Sequence, residues 1–169
     1  MLLLALLMSL TLQIFGFYIG CRNQCLLTHE QLKKFLIINR IVSLVLYVVW
    51  ITMKYGSIFQ SNMMYNSIAL IFITIGQYLN VTVYQKLGED LVYYGREYDK
   101  EGEYLTKFPF NMNHPQYTGA ILTILGVFFL TGFNKNGNIR KTNLYVLSYM
   151  IVLYLISVCI ENKCQKKKC

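Results

Sequence analysis

Five apolar runs constrain this chain more than any other feature, because each is close to the length that crosses a bilayer. The first covers Met1 to Gly20. The second runs from about Phe35 to Met53, interrupted early by Asn39 and Arg40, and the third from about Met63 to Val83. The fourth runs from about Pro115 to Phe133 and the fifth from about Leu144 to Ile160. A hydrocarbon layer of about 30 Å takes roughly 20 helical residues, so the fourth run is short and implies little tilt or a thinned bilayer. Of the 169 residues, 55% are hydrophobic and 14% charged, which agrees with a chain solvated mainly by lipid. The expected fold is all-α, a polytopic membrane bundle of four to five transmembrane helices, with residues 1–169 as one domain.

The first run has a rival reading as a cleaved signal peptide. It lacks a basic leading region, and no small-residue cleavage pattern precedes Cys21, so a retained helix is the better expectation. Orientation follows from lysine and arginine placement. With five spans, only Lys54, Lys135, Arg140 and Lys141 fall on one side. The other side holds Arg22, Lys33, Lys34, Arg40, the basic residues of the loop after the third span, and the tail lysines; it is expected to be cytosolic. The net charge of +8 then reads as topology and attraction to anionic lipid, not nucleic-acid binding, because no soluble basic domain carries it.

The five cysteines form no framework. Cys21 and Cys25 fall at the cytosolic edge, where thiols stay reduced. Cys159, Cys164 and Cys169 are five apart, without the histidine or paired-cysteine spacing of a zinc site, so no metal is expected. Palmitoylation of Cys164 or Cys169 has weak support. The tail Lys166-Lys167-Lys168-Cys169 matches a dilysine retrieval pattern, with plain positive charge as its simpler reading.

The segment from Tyr84 to His114 is the main stretch outside the spans. Glu89, Asp90, Glu97, Asp99, Glu101 and Glu103 read as the solvated face of an amphipathic loop helix. Tyr84, Tyr93, Tyr94, Tyr98 and Tyr104 fit an interfacial aromatic belt.

Polar residues at the ends of the spans carry the functional signal. Gln77, Asn80 and Tyr84 share one helix face in the third span and must point into the bundle or a wet cavity. Taken singly, interhelical hydrogen bonding is the plainer role for each. Pro115 suits the first turn of the fourth span, with His114 or Asn113 as its cap, and the free NH groups there favour an anion such as a carboxylate. Gly119 and Gly126 share a face, open either to a ligand or to a neighbouring helix. Glu161 closes the fifth span at the electrostatically wrong helix end, a modest argument for a visiting cation.

These residues fall in a recognisable order: Gly76-Gln77-Tyr78-Leu79-Asn80, Val83-Tyr84-Gln85-Lys86-Leu87-Gly88-Glu89, Tyr93-Tyr94-Gly95, Phe108-Pro109-Phe110 and Pro115-Gln116-Tyr117-Thr118-Gly119. Over about Gly76 to Glu161 the chain resembles the phospholipid N-methyltransferase family, most closely its short plant type. The resemblance implies an S-adenosylmethionine site made from a Gly-x-Gly element in the third span and a Glu-Glu pair after the last. Here the first glycine position is Thr74 and the second Gly76; the glutamates correspond to Glu161 and Asn162. Thr74 and Asn162 depart from the pattern and read as subfamily variation. The implied cofactor-binding set is Thr74, Gly76, Gln77, Asn80, Pro115, Gly119, Glu161 and Asn162.

The implied chemistry is methylation of phosphatidyl-N-methylethanolamine and phosphatidyl-N-dimethylethanolamine to phosphatidylcholine. His114 is the one neutral-pH base in the motif, although capping or cofactor contact ranks above base catalysis for it. Tyr117 and Glu161 are further candidates to orient the amine. The implied compartment is the endoplasmic reticulum membrane, with a mitochondrial membrane as the alternative. Two other readings stay open: an isoprenylcysteine carboxyl methyltransferase-like enzyme, and a non-catalytic membrane scaffold.

Overall fold

A computed structural model of the chain describes residues 1–22, 27–56, 62–93, 106–134 and 136–165, with the side chains at 17, 19–22 and 162–165 left out. Five long helices carry the fold: α1 (Leu2–Arg22), α2 (His29–Tyr55), α3 (Met63–Leu87), α5 (Pro115–Thr131) and α6 (Lys141–Gln165). A single turn, α4 (Glu89–Val92), follows α3. Among the described residues no strand occurs beyond one isolated bridge between Phe133 and Ile139. This is an all-α membrane bundle. Three of its helices, at His29–Tyr55, Met63–Leu87 and Lys141–Glu161, are long and apolar enough to cross a bilayer; Leu2–Gly16 and Pro115–Thr131 are shorter apolar helices. At 17 residues α5 is about 25 Å long, short of a full hydrocarbon layer as its run length implied.

The helices outrun the apolar runs because polar caps extend them. Thr28 and Gln31 form a capping box at the start of α2: the Gln31 N–H donates to Thr28 Oγ1 at 3.3 Å, and the Thr28 N–H to Gln31 Oε1 at 3.0 Å. Asn62 caps α3 by accepting from the Met64 N–H at 3.0 Å. Gly88, at φ 77°, ends α3 in a conformation that L side chains rarely adopt, and its N–H donates to the Tyr84 carbonyl. The chain turns back there, so the end of α4 lies beside the end of α3.

The tightest packing is between α3 and α5, across a seam of small residues. A Cβ on Gly76 would lie 2.6 Å from the Gly119 carbonyl and 2.5 Å from Thr123 Oγ1. One on Gly126 would lie 2.8 Å from the Ala69 carbonyl. Flat aromatic pairs, Phe72 with Phe129 and Tyr65 with Phe133, extend the seam. Helix α1 is joined to α2 by a buried polar knot: Ser9 Oγ donates to Asn39 Oδ1 at 3.1 Å, and Asn39 Nδ2 to the Ser9 carbonyl at 2.9 Å. Ser43 Oγ lies 2.8 Å from Ser9 Oγ. The polar interruption at Asn39 is therefore an interhelical bond, which lipid cannot replace.

A second knot lies one turn further along α2, where it meets the end of α5 and the start of α6. Tyr47 Oη lies 3.0 Å from Thr131 Oγ1 and donates to Asn143 Oδ1 at 2.9 Å, while Asn143 Nδ2 donates to Thr131 Oγ1 at 2.9 Å. Around Tyr47 lies an apolar core of Leu6, Leu10, Trp50, Ile51, Ile124, Val146, Leu147 and Leu153. Leu4, Met8, Ile38, Leu70, Ile71 and Tyr145 are exposed, as lipid-facing side chains would be.

The loop reading needs correction. Helix α3 continues to Leu87 and takes in Tyr84, and α4 is a single turn at Glu89–Val92; the rest of the expected loop helix lies outside the described residues. Tyr93 is buried against Leu32 and Leu36 instead of standing in an interfacial belt. Glu97, Asp99, Glu101, Glu103, Tyr94, Tyr98 and Tyr104 lie outside the described residues, as do Cys25 and residues 166–169; the side chains of Cys21 and Cys164 do too.

Candidate functional site

The start of α2, the end of α3 with α4, the start of α5 and the end of α6 gather at one end of the bundle. His29 Nε2 faces the carbonyls of Asp90 at 3.2 Å and Tyr93 at 3.1 Å. Lys33 Nζ binds Glu89 at 2.9 Å and Asp90 at 3.0 Å. Together they hold the segment after α3 over the start of α2. Lys86 Nζ donates to the Phe108 carbonyl, and the Tyr78 ring stacks on Phe108, which hold the 107–113 turn against α3.

That turn delivers His114 to the site. His114 sits at φ 54°, ψ 59°, the left-handed region, immediately before Pro115 at the first position of α5. Histidine is among the side chains that visit this region more readily, while a β-branched residue would be strained. His114 is the N-cap of α5, as expected, but its side chain makes no capping bond. The ring turns instead toward α6, where Nδ1 lies 3.7 Å from Glu161 Oε2. Protonation of the imidazole makes this an ion pair. The Tyr117 ring meets the His114 ring edge-on at 5.8 Å and the Tyr154 ring at 6.1 Å, so an aromatic wall runs from the cap of α5 to α6.

These groups line a cavity of about 1410 Å³. A single drug-sized ligand site is typically about 300–1,000 Å³, so there is room for two ligands side by side. Its deep walls are apolar, from Leu6, Ile124 and Leu147, and exposed Leu44 and Val48 line its outer side. Its polar end collects Gln77, Asn80, His114, Pro115, Tyr117 and Glu161. Gln77 Nε2 donates to Thr123 Oγ1 at 3.0 Å, so its amide is fixed across the α3–α5 seam.

The sequence candidates divide. His114, Tyr117, Glu161, Gln77, Asn80 and Pro115 share the cavity. Gly76 and Gly119 are not among its walls: each faces the other helix, and the close approach they permit is backbone to backbone. Thr74 is exposed on the outer side of α3, away from the cavity. The Asn162 side chain lies outside the described ones. Among the described residues no group of His, Cys, Asp and Glu side chains forms a metal-ligand cluster.

Two features of the cavity were not anticipated. Tyr84 Oη donates to Tyr93 Oη at 2.9 Å and accepts from Arg40 Nη1 at 3.4 Å. Burial first, then the hydrogen bond with Tyr84, pushes the Tyr93 phenol up, against the pull of Arg40, so it stays protonated. The interruption of the second apolar run at Arg40 was the available signal; the Tyr84–Tyr93 pair depends on the turn at Gly88 and had none.

The family model for phospholipid methyltransferases matches residues 64–167, from the first turn of α3 beyond the end of α6. The chain belongs to the phospholipid methyltransferase family. It is also 36% identical over 83 residues to a phosphatidyl-N-methylethanolamine N-methyltransferase of Arabidopsis thaliana. That match takes in 48% of this chain and 47% of the relative, so the chain spans about half the length of the curated relative it matches. No solved structure matches.

Proposed function

We propose that this chain is a phospholipid N-methyltransferase, a single integral-membrane domain over residues 1–169. It would use S-adenosylmethionine to methylate phosphatidyl-N-methylethanolamine and phosphatidyl-N-dimethylethanolamine, giving phosphatidylcholine. One observation carries the reading: His114, Tyr117 and Glu161 meet at the polar end of a cavity with room for two ligands and apolar deep walls. Family membership supplies the reaction class.

The residues present suit both ligands. The N-terminal NH groups of α5 favour a carboxylate, and the Gln77 and Asn80 amides offer donors and acceptors beside them. Glu161 offers a negative charge to a sulfonium or ammonium cation, and the Tyr117 and Tyr154 rings offer their faces. Gly76 and Gly119 serve this site at one remove, through the packing of α3 on α5, whereas Thr74, at the family position of a first glycine, faces away from it. Asn162 follows Glu161 in the chain, at the family position of a second carboxylate.

S-adenosylmethionine supplies the methyl carbon, whose bond to sulfur breaks with its electron pair as the bond to the amine nitrogen forms. The protein's part is positioning and proton removal. The amine arrives as an ammonium and must lose one proton before each transfer. His114, next to Glu161, is placed to accept it when neutral, and Glu161 then balances the imidazolium. Placing this end at the cytosolic leaflet, as the lysine and arginine asymmetry suggests, lets the cofactor enter from water while the acyl chains stay in lipid. The endoplasmic reticulum membrane is the proposed compartment.

Expression in a host without phospholipid methylation, supplied with monomethylethanolamine, tests the reading through the lipids that accumulate. Phosphatidylcholine is expected. A host that inserts the protein yet holds only the monomethylated lipid would sink it.

A further inference from the structure

Arg40 has no assigned role in the reaction above. It lies on α2, two to three turns in from the capping box, and lines the cavity. It is partly buried, and its Nε is buried without a hydrogen-bond partner. Its one hydrogen bond among the described residues is the 3.4 Å contact from Nη1 to the Tyr84 hydroxyl. Among the described residues no carboxylate pairs with it: Glu89 and Asp90 are taken by Lys33 and Glu161 faces His114. A permanently charged guanidinium with five donors is thus held in a cavity with one weak, neutral acceptor.

We propose that Arg40 is the anchor for the phosphodiester of the lipid substrate. This deepens, and rests on, the lipid methyl-transfer reading. A guanidinium fork matches a phosphate bidentately, and the Nε and Nη donors supply that fork. Tyr84 holds the guanidinium from one side and is itself held by Tyr93. The next cavity-lining positions on the same face of α2, Leu44 and Val48, run away from Arg40 toward the C-terminal end of the helix at four-residue spacing. A lipid whose phosphate sits at Arg40 can lay a chain along them. Its amine, at the other end of the short ethanolamine link, stays at the polar end of the cavity.

An S-adenosylmethionine carboxylate is the other anion in the system, so the test separates the two. Purified full-length protein in neutral detergent would be titrated with fluorescent phosphatidyl-N-methylethanolamine and with matched diacylglycerol, which lacks the phosphate. The forms compared are the unmutated protein, Arg40→Gln, Arg40→Lys and Lys34→Gln. The unmutated protein should prefer the phospholipid, and Arg40→Gln should lose about tenfold to a hundredfold of that affinity, the range for charge-assisted hydrogen bonds. Arg40→Lys, which keeps charge and fold but not the fork, should recover only part of it, while Lys34→Gln, on the exposed face of α2, should bind as the unmutated protein does.

In membranes, Arg40→Gln should raise KM for lipid and leave KM for S-adenosylmethionine unmoved. Full recovery by lysine, loss confined to S-adenosylmethionine, or unchanged lipid binding would each overturn the assignment. Arg40-dependent phospholipid binding without any methyl transfer would sink the reaction and leave this site standing.

Discussion

Gly76→Ala separates two explanations of why a glycine occupies that position. The added methyl would lie 2.5 Å from Thr123 Oγ1, 2.6 Å from the Gly119 carbonyl and 2.8 Å from the Thr123 nitrogen. Ordinary heavy-atom contact is about 3.5 Å, so the shortfall is roughly 0.7–1 Å. Two of the three atoms are backbone, and no side-chain rotation relieves them. Helices α3 and α5 must move apart along a seam that Gly126 and Ala69 also require to be close. Overpacking of this kind costs about 1–3 kcal/mol. For a chain of this size that lowers the unfolding midpoint by roughly 2–12 °C.

The assay is thermal unfolding in detergent, read beside S-adenosylmethionine binding below the midpoint. Both should fall, because Gln77 and Asn80 ride on the same helix into the cavity. Thr123→Ala in the same chain should restore little, since it removes only one of the three contacts. A Gly76→Ala protein as stable as the parent but unable to bind S-adenosylmethionine would refute the packing account and put the glycine against the cofactor.

Three further outcomes are expected. Glu161→Gln should lower methyl transfer by about a hundredfold or more, through loss of the carboxylate facing His114, while the protein still inserts; transfer at the parent rate would remove Glu161 from the reaction. His114→Asn should leave the unfolding midpoint nearly unchanged, because asparagine also tolerates the left-handed backbone, yet depress transfer; a large stability loss would show that the ring is structural. Tyr47→Phe should cost about 0.6–1.7 kcal/mol, the range for interhelical hydrogen bonds in lipid, and spare kcat because the knot with Thr131 and Asn143 is at the far end; a fall in kcat with unchanged stability would couple the two ends.

Much of the bundle was legible because run length in lipid admits few answers. The five apolar runs are the five long helices, and even the shortness of α5 could be read from Pro115 to Phe133. Helix ends were less legible. Hydropathy does not register the Thr28–Gln31 capping box, which starts α2 well before the apolar stretch at Phe35. At the site, His114, Tyr117 and Glu161 stood out because polar residues at span ends are costly, and they do converge. Gly76 and Gly119 show the limit: a sequence states that something approaches a glycine, not whether it is a ligand or another helix. Tyr93 illustrates a second limit, since its partner depends on a chain reversal at Gly88. Arg40 was visible as an interruption, and only the cavity around it gave the interruption a purpose.

The most direct test of the central claim is transfer of labelled methyl from S-adenosylmethionine in membranes carrying the chain, from a host with no phospholipid methylation of its own. Phosphatidyl-N-methylethanolamine, phosphatidyl-N-dimethylethanolamine and phosphatidylethanolamine would be supplied in parallel. The account predicts base-stable label in phosphatidylcholine from the first two. Inserted protein that labels no lipid, or that leaves its label as a base-labile methyl ester on protein, would contradict it.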